Sequence, residues 1–174
     1  NYPFSPPKIK YLSQSRYRIH PNLYVGNPSD DFLGKVCLSI INTWSGPKWT
    51  TIMHIGSVLL SIQSILDNNP IQNEPGYENM NDWRNKIYNR IVEYNTYEYL
   101  ILKNGFEIHP RFKIFSEEIN KHLKINKKDI LNNIHILKEK YNKIETIQTS
   151  IYRINCRTDY NQLYKDLKIK FDTI

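Results

Sequence analysis

Cysteine is scarce in these 174 residues: there are two, Cys37 and Cys156, and neither lies in a Cys-x-x-Cys or Cys/His spacing. That argues against a structural zinc site. His109, His122 and His135 likewise show no converging ligand pattern, so no metal is expected. One disulfide between the two cysteines stays open. A lone pair in a chain with no signal peptide reads more simply as reduced thiols, in the cytoplasm or nucleus. Long apolar runs are missing too. None approaches the roughly eighteen residues that a membrane span needs, so no membrane partner is expected. Clustered arginines are also lacking. The net charge of +7 would suit a polyanionic partner, but the lysines are scattered and no nucleic-acid motif accompanies them, leaving nucleic-acid binding a reading carried by charge alone.

What is present is a globular composition, 40% hydrophobic and 24% charged, long enough for one domain or one domain with an extension. The N-terminal "NYPFSPPKIKYL" is proline-rich and then alternates through Ile9, Tyr11, Tyr17 and Ile19, which predicts a strand or two entered by an extended loop. "GKVCLSII" is a short β-prone run holding Cys37. After "NTWSGPKWTT" the period changes: Ile55, Val58, Leu59, Ile62, Ile65 and Leu66 form one face of a helix, with Thr50 or Thr51 as its cap and Pro70 beyond its end. From about residue 80 proline nearly disappears. Four apolar stripes follow, through Trp83, Ile87, Ile91 and Tyr94; Phe112, Phe115, Ile119 and Leu123; Ile130, Ile134, Leu137, Tyr141 and Ile144; and Tyr160, Leu163, Leu167 and Phe171. They predict helices packed along apolar seams, so the chain divides into residues 1–80 and a helical part, 81–174.

On its own, Cys37 reads either as a small buried hydrophobe or as a nucleophile, and His20-Pro21-Asn22 is a good turn sequence. Their order says more. "YPFSPPKIKYL", "HPN", "GKVCLSI", a Trp-centred loop, "SVLLSIQSIL" and "NEPGY" together resemble the catalytic core of ubiquitin-conjugating (E2) enzymes across residues 2 to 77. The pattern is most like the Z-type large E2s and the E2 domains of giant hybrid E2/E3 proteins.

The resemblance implies an α+β fold of the E2 type, a small antiparallel sheet with a central helix, plus a helical C-terminal extension. Family members open with a helix and two strands before "YPFxPP", and this chain starts at that motif, so those elements are expected to be missing. The implied activity is that of a carrier that takes ubiquitin or a ubiquitin-like protein from an E1 activating enzyme as a thioester on Cys37, using no cofactor. It would pass the modifier to a lysine or, with an E3 ligase as partner, to a ligase thiol. A non-catalytic E2-like module that only binds ubiquitin or a ligase is the alternative. An ordinary cysteine is already a few per cent thiolate at neutral pH, so Cys37 is expected to need exposure more than a base. Asn22 takes the place of the oxyanion donor, His20 that of a strut in the turn, Ser39 the position where many E2s carry Asp, and Glu74 that of the gate-loop acid. Phe4 keeps half of the family's ligase-docking surface; Thr50, Thr51 and Ile52 replace its usual Ser-Pro-Ala. The loop "YVGNPSDDFLG" is a longer excursion between Asn22 and Cys37 than usual.

Overall fold

A computed structural model describes residues 1–12, 15, 17–25 and 34–174. The excursion expected between Asn22 and Cys37 lies largely in residues 26–33, outside the described residues. The chain forms two compact units, Asn1–Asn89 and Arg90–Ile174. Among the described residues, four α-helices and one two-stranded antiparallel sheet make an α+β protein.

The first unit corrects the expected strands. Among the described residues it has no extended ladder, only isolated bridges joining Lys10 to Lys35, His20 to Leu23 and Leu23 to Val36. Pairing starts and does not propagate. The Tyr24 N–H donates to the Lys35 carbonyl and the Cys37 N–H to the Asn22 carbonyl, both at 2.9 Å. On one side the His20-Pro21-Asn22 turn then carries the chain away, and on the other the 3-10 turn Ser39–Ile41 does so. Gly34 sits at φ +72°, and a Cβ there would lie 2.7 Å from the Tyr11 carbonyl oxygen. Glycine lets the segment entering Cys37 lie that close to Tyr11, whose N–H donates to the Gly34 carbonyl at 2.7 Å.

Helix α1 (Ile55–Ile65) follows the predicted periodicity, but its cap is not Thr50 or Thr51. The His54 side chain accepts from the backbone of Ser57, whose hydroxyl reaches back to the His54 N–H, closing a capping box. Val58 is fully buried with Leu23, Val36, Leu38, Ile41 and Trp49. Ile55, Leu59 and Leu66 from the same stripe are more than half exposed. Beyond α1, Pro70–Asn73 form a 3-10 turn that buries Pro70 and Ile71.

Helix α2 (Trp83–Asn95) buries Tyr88, Ile91 and Tyr94 rather than Trp83, which is exposed. It continues as a π-helical stretch, Thr96–Gly105, then the 3-10 turn Pro110–Phe115 and the long helix α3 (Ser116–Lys140). The all-helical expectation fails after α3. Residues Glu145–Thr149 (β1) and Ile154–Thr158 (β2) form an antiparallel hairpin with Ile147 opposite Cys156. The burial of Ile154, Cys156 and Thr158 alternates with exposed Asn155 and Arg157, the period of a half-buried strand. Helix α4 (Tyr160–Phe171) is capped by Asp159, whose carboxylate accepts from the Gln162 N–H. It buries the predicted stripe Tyr160, Leu163, Leu167 and Phe171. Among the described residues no helix is long and apolar enough to cross a membrane.

Candidate active site

The site is built on the His20-Pro21-Asn22 turn and the Cys37 segment, which the bridge between Leu23 and Val36 brings side by side. Proline fixes the middle of the turn. His20 locks both of its ends: the Asn22 backbone N–H donates to Nδ1 at 3.1 Å, and Nε2 lies 2.8 Å from the Ile65 carbonyl at the end of α1. With Nδ1 accepting, Nε2 carries the proton, so the ring is neutral. Burial pushes its pKa below the ordinary 6.5, partly offset by the Ile65 carbonyl and Asp67. His20, 3% exposed, ties the turn to the end of α1.

Asn22 turns its side chain onto the other half of the site. Its Nδ2 donates to the Cys37 carbonyl at 2.6 Å, while the Cys37 N–H donates to the Asn22 carbonyl. Asn22 Oδ1 is buried with no hydrogen-bond partner among the described residues. A buried acceptor left unbonded costs about 1–3 kcal/mol; stability alone would not select this arrangement.

Cys37 departs from expectation. Its thiol is free, but the residue is only 2% exposed, between buried Val36 and Leu38. The physical reason is its place in the bridged segment at the edge of the core cluster rather than in the loop beyond it. As placed, the thiol is not open to a reactant at the surface.

Past Cys37 the chain is held by a residue that motif reading missed. The Thr43 hydroxyl donates to the Val36 carbonyl at 2.6 Å and accepts from the Leu38 N–H at 2.9 Å, bracketing Cys37 from the far side. A threonine after a β-prone run gives little signal, because it takes the fold to bring the hydroxyl back five and seven residues. Ser39 is half-buried in the 3-10 turn, its Cβ against the space over Gly46. Glu74 does not stand free: its carboxylate pairs with Arg18 at 3.6 Å.

The expected docking residues lie around Trp49. The indole N–H donates to the Pro3 carbonyl at 2.8 Å and the Tyr2 ring packs 6.0 Å away, fixing the segment that presents Phe4. Phe4 is 82% exposed and Ile52, three residues after Trp49, 88% exposed; Thr51 is exposed as well. Among the described residues no group of three or more His, Cys, Asp or Glu could hold a metal ion.

A family model described as ubiquitin-conjugating enzyme matches residues 1–96. The chain is 40% identical over 99 residues to the protein named ubiquitin-conjugating enzyme E2 Z of Danio rerio and to that of Homo sapiens, 55% of this chain in each case. It covers 28% and 26% of their lengths. A Caenorhabditis elegans protein named probable ubiquitin-conjugating enzyme protein 17 is 36% identical over 141 residues, 75% of this chain and 18% of the relative. The chain thus spans about a quarter or less of these relatives.

Proposed function

The chain belongs to the ubiquitin-conjugating enzyme family, and from that premise we propose that it carries ubiquitin, or a ubiquitin-like protein, as a thioester on Cys37. The Cys37 thiolate attacks the thioester carbonyl presented by an E1 enzyme; a new carbon–sulfur bond forms and the E1 thiolate leaves. In the second step a neutral lysine amine attacks the Cys37 thioester, the amide forms, the amine sheds its proton and the Cys37 thiolate departs. With a ligase thiol as acceptor, the second step repeats the first.

The observation that carries this reading is the Asn22–Cys37 pairing, which puts the one side-chain amide of the turn beside the backbone of the nucleophile. Aminolysis builds negative charge on the carbonyl oxygen, and an amide donor aimed there is worth about 3 kcal/mol in the transition state. Bringing lysine from a pKa of about 10.4 to reactivity near pH 7 costs about 4–5 kcal/mol, which the acceptor's surroundings have to offset. Phe4, Thr51 and Ile52 form the surface offered to a ligase, and the two reduced thiols suit the cytoplasm or nucleus.

Incubation with E1, ATP and ubiquitin, resolved with and without reductant, tests the proposal. A reductant-sensitive adduct lost in Cys37→Ala supports it. A module that binds ubiquitin without transfer would give no adduct.

A further inference from the structure

Among the described residues, Arg18 reaches separate parts of the first unit. Its guanidinium donates through Nη2 to the carbonyl of Pro21, the centre of the turn that carries Asn22. The same group lies over the Tyr24 ring, 3.7 Å from its centroid, on the chain leaving the turn, and pairs with Glu74 at 3.6 Å, on the loop after Pro70–Asn73. Its own carbonyl accepts from the buried Tyr88 hydroxyl of α2 at 2.8 Å. Arginine suits such a post: its planar fork bonds in two directions while its face stacks on an aromatic ring, and lysine can do only part of this.

We propose that Arg18 is a positioning residue for the Cys37 reaction: by clamping the Pro21 carbonyl to Tyr24 and Glu74, it fixes the turn from which Asn22 reaches Cys37. The inference rests on the proposed thioester chemistry. Besides the bonds between Asn22 and Cys37, the turn is tied outward by His20 to Ile65 at its start and by Arg18 at its centre. His20 anchors the start of the turn to Ile65 and holds the Asn22 N–H, while Arg18 holds the carbonyl of the same Pro21–Asn22 peptide. Without Arg18 the peptide between Pro21 and Asn22 is held on its N–H side alone, by His20 Nδ1, so the plane tilts and the Asn22 amide shifts with it. Glu74 acts in this arrangement as the counter-charge that aims Arg18, not as an acid at the thiol.

Two readouts test this on the chain, one of them independent of activity. In a 15N-labelled sample the Asn22 side-chain NH2 signals report its bond to Cys37; in Arg18→Met they should shift, and exchange with solvent should quicken. In single-turnover discharge of the ubiquitin thioester onto free lysine, Arg18→Met should be ~10- to 100-fold slow, the scale of a misplacement of about 1 Å, and E1 charging should lose much less. In an Asn22→Ala background the same change should add little, because the residue acts through Asn22. Glu74→Gln should move both readouts in the same direction by less. If Arg18→Met fails to fold, Arg18→Lys decides by the same readouts, with smaller effects expected. Unchanged Asn22 signals in the arginine variants overturn the proposal, as does a discharge defect that multiplies with that of Asn22→Ala. A wild-type chain that never forms a thioester refutes the proposed function and leaves the Asn22 signals to decide the role of Arg18.

Discussion

The Asn22 side chain donates to the carbonyl of Cys37 at 2.6 Å, across fifteen residues of sequence. A donor that serves a transition state matters most where the nucleophile is weakest. Asn22→Ala should therefore slow discharge to lysine by ~100-fold or more and slow charging far less. Single-turnover rates of the two steps measure this, and equal losses would instead report collapse of the turn.

Both thiols are buried, but in different units. Cys156 lies on β2 and receives a weak contact from the Asn95 amide at 3.7 Å. Cys37→Ala should abolish the reductant-sensitive ubiquitin adduct and Cys156→Ala should leave it. Survival of the adduct in the first variant and its loss in the second would reassign the nucleophile.

His20 makes the fold sensitive to mild acid. Its native pKa is lowered from 6.5 chiefly by burial, so below pH 6.5 the unfolded chain binds the proton more readily than the folded one. Stability should be unaffected well above that pH and fall as pH drops through it, by up to about 1.4 kcal/mol per pH unit, levelling off once the native ring is protonated. Urea melts at pH 7.5 and 5.5 measure the difference, and His20→Gln should be less stable at pH 7.5 and lose most of the dependence. Carboxylates with lowered pKa values, such as Glu78 and Asp82, act at lower pH; Glu93, raised by burial, works in the opposite sense, and the difference between wild type and His20→Gln isolates the histidine's share.

Gly34→Ala would place a Cβ 2.7 Å from the Tyr11 oxygen at a left-handed φ. Both faults destabilise, together by more than about 1 kcal/mol, and the displaced segment is the one leading to Cys37. Chemical denaturation should show the loss, and charging should slow with it.

Phe4 and Ile52 contribute little to the core, so Phe4→Ala and Ile52→Ala should each change stability by no more than about 0.5 kcal/mol. If their surface receives a ligase, ligase-stimulated discharge should fall while unassisted discharge to lysine stays level. Parallel assays with and without ligase separate the two.

Much of this was legible along the chain. Proline and a short polar side chain write the His20-Pro21-Asn22 turn locally. The apolar period of Val58, Ile62 and Ile65 fixes the core face of α1, and that of Tyr160, Leu163, Leu167 and Phe171 fixes α4, because a helix satisfies its own backbone and leaves only a face to be declared. The hairpin at 145–158 escaped because two five-residue strands offer few alternations, and their neighbours Tyr141 and Ile144 extend the stripe of α3.

Strand pairing and burial are another matter, since they depend on partners distant in sequence. The run through Val36 and Cys37 could have continued a ladder; a turn on either side stops it after one bridge. The thiol could have faced solvent, but its segment packs at the edge of the core. Nothing in "RIHPN" or "NEPGY" says that Arg18 and Glu74 meet, because a charge pair 56 positions apart has no local signature and exists only once the folded backbone has brought its two halves together.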